Sequence, residues 1–568
     1  RELAAEHAAR FAAIEIDAGD NVGFGRGHNA NLARAQAQWL LVTNVDLEFE
    51  PATLTELLGR AAADPADVAC WECRQKPYEH PKHYNPVNGD TVWCSSACTL
   101  FRVEAMRAIG GYEPKLFLYG EDVEISYRLR DRGWQLRYVP RATVWHFTYE
   151  HAAEVKPAQF LGSTLANVLL RMRYGGWRAI VRGLLMYLGL FAMRPQIPQQ
   201  RWRLLKNGLK LLQLSPYFLA TRKKSDQRFP FNLWDYEITR HGAFHEFKPV
   251  PAGMPQPVVS VLVRTMAGRA GKLAEALASV AAQTYGPIEL VIVEDGSGTA
   301  ADTAARWRDS GRFTGVQFRP LDKVGRCLAG NAAMEAATGE YLCFLDDDDL
   351  FYADHLEVLV DALRARPDLG GVYGLAYEVR TEVISAEPWV YKDMAHNLMY
   401  RQPFSRGLMW HHNYLPIQTV LFRRSLYEQY GGLDAELDRI EALPFRYYHL
   451  VAQTARAVRH RYRGEEQSAR AVEQASEAAS LQLGSWSTDL QRTLFAHPAY
   501  ALCHDLSGLK RCADELTSYV AQGFQFEDRV TMTNAERLRE RGQYEEGRSL
   551  LEPLFAALPE HDYLTRQW

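Results

Sequence analysis

Residues Lys323–Leu356 read KVGRCLAGNAAMEAATGEYLCFLDDDDLFYADHL, and the order of features in them decides the fold. A Gly-containing lead opens a small-residue helix with Asn331 near its start. The apolar run YLCFL then predicts a buried strand that leaves on four consecutive carboxylates, Asp346 to Asp349. Residues Asn21–Leu54, NVGFGRGHNANLARAQAQWLLVTNVDLEFEPATL, repeat that order. Asn29 stands near the helix start, WLLVT is the strand, Asn44-Val45-Asp46 is the exit, and Pro51–Ala63 predicts the following helix. One fold is therefore expected twice in the chain. Upstream of the second copy, VVSVLVRT, KLAEALASVAAQ and IELVIVEDGS alternate strand, helix and strand, the mark of a parallel sheet covered by helices. The fold class predicted is α/β, with two Rossmann-like, mostly parallel domains over 1–150 and 251–451. A basic helical segment over 151–250 joins them and an α-helical region fills 452–568. Within that last region Asn534–His561 reads as two helices around Gly542, resembling a single tetratricopeptide-type hairpin.

Composition narrows the class. The chain has 568 residues, 47% hydrophobic and 24% charged, which excludes wholesale disorder and collagen-like repeats. A net charge of -4 argues against a dedicated nucleic-acid binder, and no nucleic-acid partner is expected. Eight cysteines in so long a chain do not make a disulfide framework, which fits a reducing compartment. No signal peptide is read in the opening RELAAEHAAR, and the longest apolar run, Gly183–Met193, is about half the length that spans a bilayer. A cytoplasmic location is expected. Residues 155–224 differ in kind, with thirteen Lys or Arg, no acid, and interleaved Trp and Leu. They read either as a linker with a solvated cationic face or as a helical segment that attaches to an anionic membrane surface, and the second is favoured.

Acids at strand ends are the chemistry this arrangement offers. In open α/β sheets, ligands sit beyond the carboxyl ends of the strands. Glu294-Asp295 and Asp346–Asp349 both arrive at that edge. Adjacent carboxylates repel unless a cation is present, and such oxygen donors suit Mg2+ or Mn2+ shared with substrate phosphates. An acidic helix cap is the plainer alternative for any one run; two such strand ends favour a site. The pairs Cys70/Cys73 and Cys94/Cys98 read as buried thiols rather than a zinc site, because DVACWECR has strand pattern. Gly23–Gly27 lacks the strand–helix unit of a dinucleotide site.

The run from Val258 to about Leu359 resembles the nucleotide-sugar half of a family 2 glycosyltransferase with the GT-A fold. That resemblance implies that Asp295 contacts the nucleotide base and that Asp346 and Asp348, the DxD motif, hold the ribose and a diphosphate-bound metal. The first copy, through NVGFGRGHNANLARA, LLVTNVD and Trp93–His146, is similar to the rhamnosyltransferase-like branch. There Asn44 and Asp46 take the DxD places, Asp46 on the metal. Glu121-Asp122 matches the acidic pair whose Asp is the general base, and His146 matches a position that reaches the metal or diphosphate. His146 reads equally well as a core histidine, and Asp122 as an acid favoured at a helix start. Asn29 and Asn331 complete the expected nucleotide-sugar set.

The activity implied is inverting, metal-dependent transfer from a nucleotide-sugar donor to a glycan, lipid-linked or protein acceptor. Two departures bear on it. The first copy begins late in the family pattern, so its first strands would precede Arg1 and its site would not close around a nucleotide. In the second, Glu441 is followed by Ala442 where an Asp base is expected. Either Glu441 serves as the base or this copy binds donor without efficient transfer. The competing expectation is a non-catalytic scaffold with a helical interaction tail. A nucleotidyltransferase, a third option, gives GEDVEISYRLRDRGW no role.

Overall fold

The computed structural model describes residues 14–15, 20–148, 154–225, 227–240, 242, 247, 254–399, 401–405, 409, 413–433, 467–468, 470–471, 474, 506–521 and 527–557. The chain divides into two compact units. Unit 1 comprises 1–255 with 278–284 and 350–354; unit 2 comprises 256–277, 285–349 and 355–568.

Unit 1 runs α1 (Phe24–Arg34), β1 (Trp39–Thr43), β2 (Leu47–Phe49), α2 (Thr53–Ala63), β3 (Val68–Lys76), β4 (Cys98–Arg102), α3 (Val103–Ile109), α4 (Glu121–Asp131) and β5 (Gln135–His146). Helix α2 starts at Thr53, with Pro51 and Ala52 in the turn before it. The sheet order is β1-β4-β3-β5-β2, with β3 and β5 parallel and the other neighbours antiparallel. Leu57, Val68, Trp71, Leu100 and Val144 are among the residues that close one core. Cys70, Cys73, Cys94 and Cys98 are buried free thiols of this sheet and the segment leading into it.

Three further helices belong to unit 1: α5 (Pro157–Tyr174), α6 (Trp177–Gly189) and α7 (Gln200–Ala220). They share a core through Leu169, Met172, Tyr187, Leu204 and Phe218. Two of the basic residues counted here are buried. Arg173 Nη1 lies 2.7 Å from Glu124 and 2.8 Å from Glu113, and its guanidinium sits 4.2 Å from the Phe218 ring. Arg171 Nε donates to Asn167 Oδ1 at 2.8 Å and stacks on Phe231.

Unit 2 contains β6 (Val259–Thr265), the first eight residues of α8 (Ala270–Ala281), β7 (Ile288–Asp295), α9 (Ala301–Asp309), β8 (Gly315–Leu321), α10 (Arg326–Ala336), β9 (Tyr341–Asp346), α11 (His355–Ala365), β10 (Gly371–Tyr373), a hairpin of β11 (Ala376–Ser385) and β12 (Val390–Met399), β13 (Val420–Arg423) and α12 (Arg424–Tyr430). Strands β9, β6, β7 and β8 are parallel neighbours in the order β10-β13-β9-β6-β7-β8. The chain direction of winding reverses between β6 and β9, and at such a switch point the strand ends open a crevice. Thr265 and Asp346 stand there. The order β9-β13-β10 repeats β1-β4-β3 of unit 1, each with two antiparallel pairings. Helices α13 (Leu506–Ala521), α14 (Glu527–Glu540) and α15 (Tyr544–Ala557) follow, and Gly542 turns between the last two at φ +75.

Candidate active site

In unit 1 the topology brings together residues a hundred positions apart. Strand β2 leaves the Asn44-Val45-Asp46 turn and pairs antiparallel with the end of β5, Leu47 opposite His146. Asp46 Oδ1 consequently lies 3.4 Å from His146 Nε2, and the Asn44 amide 3.5 Å from it. His146 Nδ1 is 2.7 Å from Gln75 Oε1. That oxygen accepts the ring's proton, so the neutral ring's Nε2 accepts from the Thr148 hydroxyl at 2.5 Å, with the Asp46 carboxylate alongside. Burial holds the His146 pKa below its ordinary value.

The second half of the site is the start of α4. Gly120, at φ +85, turns the chain so that Glu121 and Asp122 occupy the first helical turn, where the helix dipole favours anions. Asp122 Oδ1 accepts from its neighbour Val123 N–H at 2.8 Å and is half-buried. Burial raises its pKa, opposed by the Val123 N–H, by Lys82 and by the Ser96 N–H. Segment Ser95–Ala97 links the halves: Asn44 N–H donates to Ala97 O at 2.9 Å, and Tyr112 Oη donates to Ser96 Oγ at 2.8 Å. Lys82 is buried behind, ion-paired with Glu72 and donating to Trp93 O at 2.8 Å. Burial lowers its pKa to about 8.

Glu121 is treated differently. It is 5% exposed, and its Oε2 has no hydrogen-bond partner among the described residues. Burial first, then the Asp122 charge, raise its pKa to about 8, so it is largely protonated at neutral pH. A carboxyl raised this way in the fold supports stability below its ordinary range and loses that support as pH rises through about 8. Glu121→Gln is expected to melt with the native chain near pH 5 and above it near pH 9, by roughly 4 kcal/mol at most. Melting curves that stay parallel across that range would refute a neutral Glu121.

Asn29 and Asn331 share one geometry. Asn29 Nδ2 donates to Tyr112 O at 2.9 Å and its Oδ1 accepts from Tyr112 N–H at 2.7 Å. Asn331 makes the same two bonds to Leu433, at 2.8 and 2.6 Å. Each clamps a turn whose second glycine, Gly111 or Gly432, leaves room for the amide; a Cβ there would run into Asn Oδ1. The matching Gly-Gly pairs, 110–111 and 431–432, are the signal for this clamp in the sequence.

In unit 2, Asp295 accepts from the N–H groups of Val324 (2.6 Å) and Gly325 (3.1 Å), with Lys323 Nζ at 3.3 Å. The acidic run meets cations of its own chain. Arg264 forks onto Asp346 at 2.9 and 3.0 Å, and Arg269 bridges Asp347 (2.8 Å) and Asp348. Lys272 lies 3.7 Å from Asp348, and Thr265 Oγ1 donates to Asp347 at 2.7 Å. Asp349 is raised to about 6 by burial and by the neighbouring charges, Asp346 first. Glu441 and Ala442 lie outside the described residues.

The family profile described as "Glycosyl transferase family 2" matches residues 1–110 and 260–431, and "Glycosyltransferase like family 2" matches 71–159. Together they cover more than half of the chain, in two separate segments that coincide with the two sheets. The chain belongs to glycosyltransferase family 2. This glycosyltransferase is 25% identical over 243 residues to an N-acetylglucosaminyl-diphospho-decaprenol L-rhamnosyltransferase of Mycobacterium tuberculosis, a match covering 34% of this chain and 79% of that protein. It is 36% identical over 118 residues to a glucosyl-dolichyl phosphate glucuronosyltransferase of Haloferax volcanii, covering 20% and 37%. A mannosyltransferase from Pyrobaculum calidifontis, solved with GDP-Man and Mn2+, is 20% identical with a TM-score of 0.25, covering 54% of this chain and 88% of that one.

The donor sets of this glycosyltransferase can be tested for metal. In unit 1 the Asp46 carboxylate and the unprotonated His146 Nε2 form an oxygen–nitrogen pair that fits Mg2+ or, with its imidazole, Mn2+. Among the described residues no group of three or more His, Cys, Asp or Glu side chains converges. A two-residue site suits an ion that takes its other ligands from substrate phosphates and water. In unit 2, Asp348 is the exposed member of the run, and an ion there competes with Arg269 and Lys272. Sequence reasoning missed Gln75, which orients His146, and Lys82, whose charge supports Asp122. It read α5 only as part of a basic helical segment and did not give its contact: a Cβ on Gly120 would run into Ala166, so α5 packs directly on the turn that carries the acidic pair.

Proposed function

We propose that unit 1, whose Asp46–His146 pair and Asp122 turn are formed despite the expectation of a site that does not close around a nucleotide, transfers a sugar from a nucleoside-diphosphate donor with inversion at the anomeric carbon. Asp122 takes the proton of the acceptor hydroxyl as that oxygen bonds to the anomeric carbon. The bond from that carbon to the diphosphate oxygen breaks, and the diphosphate leaves with the electron pair. A base whose pKa is raised by burial from its ordinary value accepts that proton more readily. Only one such base is required, unlike a hydrolase with two flanking carboxylates. A divalent ion, when bound by Asp46 and His146 or by Asp348, offsets the charge of the departing diphosphate. Asn44 and, in unit 2, Asp295 and Asp346 face the nucleotide; Asn29 and Asn331 act by holding the Gly-Gly turns. The acceptor is a glycan, a lipid-linked sugar or a protein, met on the cytoplasmic side of a cell membrane. The single observation that carries the reading is the Asn44 N–H bond to Ala97 O, which ties the Asp46–His146 pair to the segment whose Ser96 N–H meets Asp122.

A second reading applies to unit 2 alone. Its acids are already matched by Arg264, Arg269 and Lys272, and Ala442 follows Glu441, which favours donor binding without efficient transfer, or a scaffold role. Calorimetric titration of UDP and dTDP, with and without Mn2+, tests both units. Mn2+-dependent binding, weakened about tenfold or more by Asp46→Ala in one unit and Asp348→Ala in the other, is the expected outcome. Absence of nucleotide binding by the folded full chain would overturn the donor reading.

A further inference from the structure

Helix α7 is apolar on two faces. Leu204, Leu211 and Phe218 pack into the core of unit 1. Trp202, Leu205, Leu209 and Leu212, spaced three, four and three residues apart, form a second stripe left in solvent, with Leu209 65% and Leu212 70% exposed. Helix α6 adds Trp177 at 72% and Leu185 and Leu188 at 63% each. Helix faces of this size are rarely left bare, since contiguous exposed apolar surface marks a docking site. The charge around it has one sign: Arg178, Arg182, Arg201, Lys206 and Lys210 are exposed, and residues 155–224 contain no Asp or Glu. Lys206 lies 5.2 Å over the Trp202 ring, an aromatic–cation pair of the kind that sits at a headgroup boundary.

We propose that the exposed faces of α6 and α7 dock on an anionic lipid bilayer, lying in its interfacial plane. A protein partner would be expected to meet some paired polarity; the unbroken cationic charge between Trp and Leu side chains fits acidic headgroups above and acyl chains below. No described helix is long and apolar enough to cross a membrane, so the contact is one of surface insertion. The surface also has a line to the site. Helix α5 shares the core of α6 and α7 and packs at Ala166 against Gly120, the residue before Glu121-Asp122. Docking there holds the base turn at a fixed depth below the headgroups, which selects a lipid-linked acceptor. That last step rests on the transferase reading, whereas the docking surface stands without it.

Cosedimentation of the full chain with phosphatidylcholine vesicles, with and without phosphatidylglycerol, tests the proposal. The native chain is expected to pellet with the anionic vesicles and to be released by salt. R201Q/K206Q/K210Q should weaken partitioning roughly a hundredfold, at about a factor of five per charge. Leu209→Ser with Leu212→Ser should also weaken it while keeping the nucleotide titration unchanged, which shows a folded chain. Equal pelleting by native and both variant proteins, or no pelleting by the folded native chain, overturns it. So does self-association abolished by the Leu209/Leu212 variant, or binding to single-stranded RNA without binding to vesicles. Failed nucleotide binding with intact vesicle binding would sink the transferase reading and leave this one standing.

Discussion

Asp122→Asn is expected to lower sugar transfer by unit 1 about 10²- to 10⁴-fold, the range lost with a positioned general base. The substitution preserves size, and the amide oxygen keeps the Val123 N–H bond that orients the side chain. Loss should therefore fall on kcat, with the nucleotide titration of the folded chain unmoved. Glu121→Gln is the matched control. Because Glu121 is held largely neutral at pH 7 by its burial, an amide there changes no charge, and most of the rate should survive. The native enzyme's rate should fall on the acid side as Asp122 takes up a proton, at a pH above the ordinary carboxylate range. Native turnover by Asp122→Asn, or an equal loss in both variants, would remove Asp122 from the role of base.

Arg173→Met carries the largest expected loss of stability. Arg173 is 2% exposed and joins Glu113 on the segment before the acidic turn to Glu124 on the base-carrying helix α4. Its removal strips a cation from two buried carboxylates. Arg128 and Tyr174 still serve Glu124, and Tyr217 still reaches Glu113, so compensation is partial. Breaking such a buried network costs about 3–5 kcal/mol, and in a unit of this size that lowers the melting midpoint by roughly 10 °C. Calorimetry of the full chain should show the shift in one transition only. A change below about 1 kcal/mol would mean that the pair behaves as a surface ion pair.

The strands and their acidic exits were legible because period and composition report burial directly. YLCFLD and IELVIVED are β9 and β7, and the copy relation between Asn21–Leu54 and Lys323–Leu356 reappears as the shared β1-β4-β3 and β9-β13-β10 orders. Longer-range facts were not legible. That His146 lies against Asp46 depends on β2 turning back along β5, a pairing of three residues that no local pattern announces. Asn29 and Asn331 read as ligand contacts because a carboxamide at a helix start looks the same whether it faces a nucleotide or a Gly-Gly turn. Counting thirteen cations over 155–224 treated them alike, while Arg173 had gone inside to meet Glu113 and Glu124, and Arg171 to meet Asn167 within the stretch and Phe231 beyond it. Burial of a charge is decided by its partner, which the local sequence does not contain.

The interior thiols give unit 1 a clock. Cys70, Cys73, Cys94 and Cys98 are at most 1% exposed, and burial and hydrogen bonding push the Cys73 and Cys94 thiols further from the reactive thiolate. A labelling reagent meets them only when strands β3 and β4 part, so the labelling rate counts openings of that sheet rather than encounters at its surface. Cys343, equally hidden on β9, keeps separate time for unit 2.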